Sequence, residues 1–201
     1  AGVGQVRDAL GPQLPGWVRR LGADVVELRR VEDTLEAHVA ALREAAASAD
    51  VVMTTGGTAA GPVDHLHAAV TEIGGRFVVD SVAGRPGHPM ALAQVAQAWL
   101  LALPGNPQSA IVSLLTLGQP LFDALLGRRS GDLPQVTLSQ SATAPAHERR
   151  LLACELSGIT AAPVQPLPLF GLMAEFDSPE RLVDGVGKAR AAGFRDLDAL
   201  T

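Results

Sequence analysis

The sequence predicts an α/β layered domain with a largely parallel sheet, followed by a small β-rich module. Three observations predict it. Short apolar runs alternate with amphipathic, Ala- and Leu-rich stretches over residues 1–131. Two of those runs end in glycine-bearing loops that open into helical patterns, Thr54-Thr55-Gly56-Gly57-Thr58-Ala59-Ala60-Gly61-Pro62-Val63-Asp64 and Leu103-Pro104-Gly105-Asn106-Pro107-Gln108-Ser109-Ala110. From Arg128-Arg129-Ser130-Gly131 onward the texture changes to short β-like runs between Pro and Ser clusters, which separates 1–131 from 132–201.

Taken in order, Pro15 to Leu21 reads as a helix stopped by Gly22, and Gly22 to Leu28 reads as a short strand. Asp33 is placed to cap a helix over Leu35 to Ala49, with Leu35, Val39 and Leu42 on one face. Val51 to Thr54 is a continuous apolar strand, as expected where both faces are covered. A helix from Val63 to Ile73 stops at Gly74-Gly75, and Phe77 to Val82 is the next strand. Met90 to Ala93 and Ala98 to Leu103 read as two more, bracketing Gln94 to Gln97. Ser109 to Leu126 is the longest helix and closes at Gly127. Beyond it, Gln135 to Ser139, Arg149 to Leu156 and Ala161 to Gln165 are β-like.

Bulk composition narrows the function. With 47% hydrophobic and 18% charged residues the chain is an ordinary globular one, and with 3% aromatic its core is built from Ala, Leu and Val. A net charge of −5 argues against general nucleic-acid binding. No apolar run approaches the roughly 20 residues of a bilayer span, and Ala1-Gly2-Val3-Gly4-Gln5 has no signal-peptide character. A single cysteine, Cys154, excludes an intrachain disulfide framework and fits a reducing, cytoplasmic compartment. Within Leu151 to Leu156 it reads as an inert, half-buried thiol.

The two glycine loops carry the chemistry. A strand that ends in glycines and hands over to a helix exposes backbone N–H groups at a positive helix end, which is a seat for an anion. Thr55, Gly56, Gly57, Thr58 and Gly61 make the first seat. In the second, Pro104 and Pro107 stiffen the loop, Gly105 and Asn106 tolerate positive φ, and Ser109 either caps the next helix or donates to an anion. The spacing matches neither a P-loop nor a G-x-G-x-x-G fingerprint, which argues against an NTPase or a dehydrogenase. Asp64 is either a first-turn helix acid or a carboxylate for Mg²⁺ or a ligand donor. Arg85 and His88 flank a Pro86-Gly87 turn with Pro89 next; the loop is a plain connection, or it aims two cationizable groups at an oxyanion. His65 and His67, two apart, share no helix face and read as surface histidines.

TTGGTAAGPVD, RPGHP and LPGNPQSA, in this order, resemble the MoeA (gephyrin E-domain) family of molybdopterin molybdotransferases. Gly4 to Asp8 and Val31 to Asp33 look like that family too. The resemblance implies a three-layer α/β/α, MoaB/Mog-like molybdopterin-binding domain, whose first strand with its Gly-Asp-Glu motif is missing here, followed by a small C-terminal β-domain. It implies Mg²⁺-dependent insertion of molybdate into adenylylated molybdopterin, in a homodimer that works with other proteins of molybdenum cofactor biosynthesis. Asp8 and Asp64 would be the catalytic and metal-binding acids. Thr55, Gly56, Gly57, Thr58, Gly61, Arg85, His88, Pro89, Pro104, Gly105, Asn106, Pro107 and Ser109 would bind the ligand. Arg85 and His88 stand where the family carries lysines, Arg149 or Arg150 where it has a C-terminal arginine, and Phe170 where it has a serine. Two alternatives stay open: a non-catalytic molybdopterin-binding or scaffold module of the same fold, and a molybdopterin adenylyltransferase, although the latter lack the C-terminal β-domain.

Overall fold

The computed structural model describes residues 8–58, 65–129, 131, 133–147 and 149–164. Gly61, Asp64 and Phe170 lie outside the described residues. Ala9–Pro163 form one compact unit, whose architecture follows; Asp8 and Val164 are the described residues of the other.

Four strands make the central sheet: Val51–Thr55 (β1), Arg76–Val79 (β2), Ala91–Val95 (β4) and Ala98–Leu103 (β5), in the order β1-β5-β4-β2. A short strand, Gly84–Arg85 (β3), lies outside it. The helices are Leu14–Leu21 (α1), Leu35–Ser48 (α2), His65–Glu72 (α3), Pro107–Ser113 (α4) and Gln119–Leu125 (α5). Side-chain alternation along the strands builds a core on each face. Leu100 and Ala102 of β5, with Ala91, Ala93 and Val95 of β4, meet Val39 and Leu42 of α2 and Leu66, Ala69 and Val70 of α3. Leu101 and Leu103 turn the other way, toward Leu14 and Leu21 of α1, Ala110 of α4, Phe122 of α5, and Leu114 between those two helices. Helices therefore cover both faces, giving an α/β/α sandwich, and the expected α/β class holds.

The sheet itself is mixed rather than largely parallel. β1 runs parallel to β5, from Val51↔Trp99 to Thr55↔Leu103, but β4–β5 and β2–β4 are antiparallel. The cause is local: Val95↔Ala98 closes over Ala96 and Gln97 alone, with Ala96 at φ 52, and a two-residue connection can join only antiparallel strands.

Two further expectations are corrected. The run Gly22 to Leu28 is no strand; Val26 and Leu28 are 69% and 63% exposed. Its end is tied to α2 instead, where the Arg29 guanidinium donates to Glu44 Oε2 at 2.5 Å and to Glu27 Oε1 at 2.9 Å. β-Branched composition does not make a strand without a neighbouring ladder. The cap of α2 is Thr34, not Asp33: Thr34 is extended and its Oγ1 accepts from Ala37 N–H at 3.2 Å. Thr34→Ala is expected to lower stability by about 1 kcal/mol, read as a shifted denaturant midpoint with unchanged slope. Asp33→Ala should leave the midpoint in place.

The long C-terminal helical run is continuous from Pro107 to Leu125, but Leu114–Gly118 takes a π-helical turn ahead of α5. Pro120 explains it, since a proline one residue into α5 has no N–H to return to the preceding turn. Downstream, Thr137–Leu138 (β6), Cys154–Ser157 (β8) and Thr160–Pro163 (β9) form a three-stranded sheet in the order β6-β9-β8. Arg149–Arg150 (β7) leaves it to pair with β3.

Candidate functional site

Because β1 and β5 are parallel and in register, the two glycine loops leave the sheet side by side. Gly56 N–H donates to Leu103 O at 2.9 Å, and a Cβ placed on Gly105 would lie 3.6 Å from Gly56 Cα. Gly56 and Gly57 adopt φ 83 and 64, a conformation that side chains disfavour. The first loop thus meets the second as expected, with Thr55 exposed and Thr58 buried. The second differs in detail. Asn106 is extended, with φ −69 and ψ 126, and its Oδ1 accepts from Ser109 N–H at 3.1 Å. Asn106, not Ser109, is therefore the cap of α4. An Asn directly before a Pro at the first helical position was the readable signal. Both Gly56 N–H and Ser109 N–H are spent within the protein.

Cations gather one loop away. β3 and β7 pair in parallel with Gly84↔Arg149 and Arg85↔Arg150. Arg149 N–H donates to Ala83 O at 2.7 Å, and Leu151 N–H to Arg85 O at 2.8 Å. That register sets two guanidinium-bearing residues directly opposite one another, a like-charge pair that a nearby anion would stabilise. Arg150 Nη1 also donates to Thr143 O at 2.9 Å. An open cleft of about 800 Å³ lies here, walled by residues 85–89, Gln108 and Ser109 of α4, 143–145 and 149–152.

The 85–89 loop is pressed onto the sandwich. The Arg85–Pro86 peptide is cis, Met90 N–H donates to Gly87 O at 2.9 Å, and Val82 N–H to His88 O at 3.1 Å. Gly87 sits at φ 104, and a Cβ there would approach Met90 Cε to 2.7 Å and Ser113 Oγ to 3.2 Å. Arg85, His88, Pro89 and Ser109 thus line one cavity, and both Arg149 and Arg150 join them. Pro104 is buried, whereas Gly105 and Pro107 are exposed. Asp8 is exposed and belongs to the other unit, and Gly61 and Asp64 lie outside the described residues. Among the described residues no three His, Cys, Asp or Glu side chains converge on a metal-sized position.

The remaining singled-out side chains sit elsewhere. His67 is no plain surface histidine: its Nε2 lies 2.6 Å from Asp80 Oδ1 and its ring stacks on Phe77 at 4.7 Å. Cys154 is half-buried, its thiol 3.8 Å from Leu152 O, in keeping with an inert role. Among the described residues no helix is long and apolar enough to cross a membrane.

An α/β/α sandwich with an arginine-walled cleft beside the carboxyl end of a parallel strand has the form of an α/β protein whose cleft is lined by cationic side chains. The chain belongs to the family described as the probable molybdopterin binding domain, whose profile matches residues 3–124. It is similar to a molybdopterin molybdenumtransferase of Haemophilus influenzae, 31% identical over 131 residues, which are 65% of this chain and 32% of that protein. A molybdopterin molybdenumtransferase of Staphylococcus epidermidis is 27% identical over 127 residues, 63% of this chain and 30% of the relative. Among solved structures, a molybdopterin biosynthesis MoeA protein from Pyrococcus horikosii superimposes with a TM-score of 0.66 at 26% identity, covering 81% of this chain and 40% of that one. The matched stretches span about a third of the length of the two transferases. The likeness to MoeA drawn from the three motifs therefore stands, and the chain's setting is molybdenum cofactor biosynthesis.

Proposed function

We propose that this chain supplies the molybdopterin-binding part of a molybdopterin molybdotransferase, which inserts molybdate into adenylylated molybdopterin. The observation that carries this reading is the pairing of Arg85 with Arg150 across β3 and β7, on the wall of a cleft that also holds Ser109. Molybdate and phosphate are tetrahedral oxyanions. A planar guanidinium meets two of their oxygens at once and keeps its charge at any working pH. Two such groups in register, with Arg149 beside them, suit an anion of charge −2 better than a neutral ligand. His88 lines the same cleft. The glycine loops next to the cleft offer bare backbone and little bulk, which favours a flat pterin.

Magnesium, a homodimer, partner proteins of the same biosynthesis and a cytoplasmic setting belong to the proposal through the resemblance alone. Mg²⁺ would be held by Asp8 and Asp64. Asp64 lies outside the described residues.

Calorimetric titration of the purified chain with adenylylated molybdopterin tests the reading. Saturable binding that strengthens with Mg²⁺ is expected; a flat titration rejects it and leaves the second reading, a non-catalytic scaffold module. One observation favours that alternative: the Gly56 and Ser109 N–H groups, expected to face a ligand, are already bonded to Leu103 O and Asn106 Oδ1.

A further inference from the structure

The helical layer formed by α2 and α3 holds a pair of imidazoles that the cleft does not use. His38 precedes Val39, one of the residues through which α2 packs on α3, and His65 is the first residue of α3. Their ring centroids are 5.9 Å apart with planes inclined at 57°. Two imidazoles bound to one ion at about 2.0–2.1 Å place their centroids roughly 4.5–6 Å apart. The observed spacing falls inside that window without moving either helix.

His38 is also prepared as a ligand. Its Nδ1 lies 2.8 Å from Thr34 O, and a carbonyl only accepts, so Nδ1 is the donor here and Nε2 is the nitrogen left for a metal ion. A backbone carbonyl on the far nitrogen is the arrangement that orients metal-ligating histidines. Thr34 O accepts the His38 backbone N–H as well, at 3.0 Å, which ties the ring to the cap of α2. His67 is engaged by Asp80 and Phe77 and stands apart.

We propose that His38 and His65 form a two-imidazole site for a borderline transition-metal ion, Cu(II), Ni(II) or Zn(II), distinct from the oxyanion cleft. Among the described residues no third His, Cys, Asp or Glu completes the set. Such a nitrogen pair follows the usual order of divalent affinities, with Cu(II) bound more tightly than Ni(II) or Zn(II). A bound ion would clamp α2 to α3.

The untagged chain, titrated calorimetrically with NiCl₂ and ZnCl₂, is expected to take up one ion per chain. His38→Ala and His65→Ala should each weaken binding about tenfold or more, while His147→Ala leaves it unchanged. Electron paramagnetic resonance of the Cu(II)-loaded protein should show nitrogen coupling from two imidazoles, falling to one in either variant. Absence of saturable uptake, or unaltered affinity in either the His38 or the His65 variant, overturns the site. Where an alanine variant does not fold, His38→Gln or His65→Asn, checked by circular dichroism, carries the same test.

Discussion

Replacing Arg150 with Ala is expected to weaken binding of adenylylated molybdopterin, the proposed ligand, by roughly 10–150-fold, the equivalent of one lost charge-assisted contact of about 1.5–3 kcal/mol. The melting temperature stays nearly constant. Arg150 is exposed, and among the described residues its guanidinium donates to a backbone oxygen, Thr143 O. Surface replacements of this kind change stability by no more than about 0.5 kcal/mol. Arg150→Lys should fall between the two, because an ammonium keeps the charge and loses the planar fork. Added salt should weaken the wild-type complex more than the Arg150→Ala complex, since the cleft is open to solvent. Equal affinities in wild type and Arg150→Ala would remove the arginine pair from the ligand site. Parallel losses of affinity and melting temperature would make Arg150 a structural residue.

Gly87→Ala has the largest expected effect on stability. Two costs add there: a side chain at φ 104, and a methyl group driven to 2.7 Å from Met90 Cε and 3.2 Å from Ser113 Oγ. Met90 and Ser113 are fully buried, so neither yields space easily. Backbone strain of about 1–3 kcal/mol and overpacking of about 1–3 kcal/mol bring the total to roughly 2–6 kcal/mol. In a unit of this size each kcal/mol moves the melting temperature by about 2–4 °C, so a drop on the order of 4–24 °C is expected by differential scanning calorimetry. Gly16→Ala is the contrasting case. Gly16 lies within α1 with nothing within 4 Å of its added Cβ, and alanine should be neutral or stabilising there. Gly87→Ala melting like wild type would mean that the 85–89 loop does not rest on α4 as described.

The link between these two residues is the cleft wall. Gly87 lets the loop lie flat on Ser113 and Met90, which holds Arg85 where β7 can pair with it. A partial failure of Gly87→Ala should therefore show in ligand affinity as well as in melting. Arg150→Ala separates the two readouts, and Gly87→Ala couples them.

Much of the layer structure was legible from local pattern. Val51 to Thr54 read as an apolar strand covered on both sides, and β1 sends Val52 to one core and Val51 and Met53 to the other. Ser109 to Leu126 read as one long helix, and the run from Pro107 to Leu125 is interrupted only where Pro120 removes a donor. Two misreadings had local remedies. Thr34 and Asn106 are the residues immediately ahead of their helices, and each was passed over for a neighbour. The strand expected at Gly22 to Leu28 had no such remedy, because a strand is defined by its neighbour and not by its own composition.

The α/β class and the strand-to-glycine-to-helix transitions followed from periodicity and turn chemistry, which depend only on residues a few positions apart, and the family likeness rested on the resemblance of three short motifs. The candidate cleft is assembled by contacts between distant parts of the chain. Arg85 meets Arg150 through a two-residue parallel ladder, and His38 meets His65 because α2 and α3 share one core. No local pattern encodes a pairing across 65 positions, since register between remote segments is chosen by packing and hydrogen bonding of the whole sandwich.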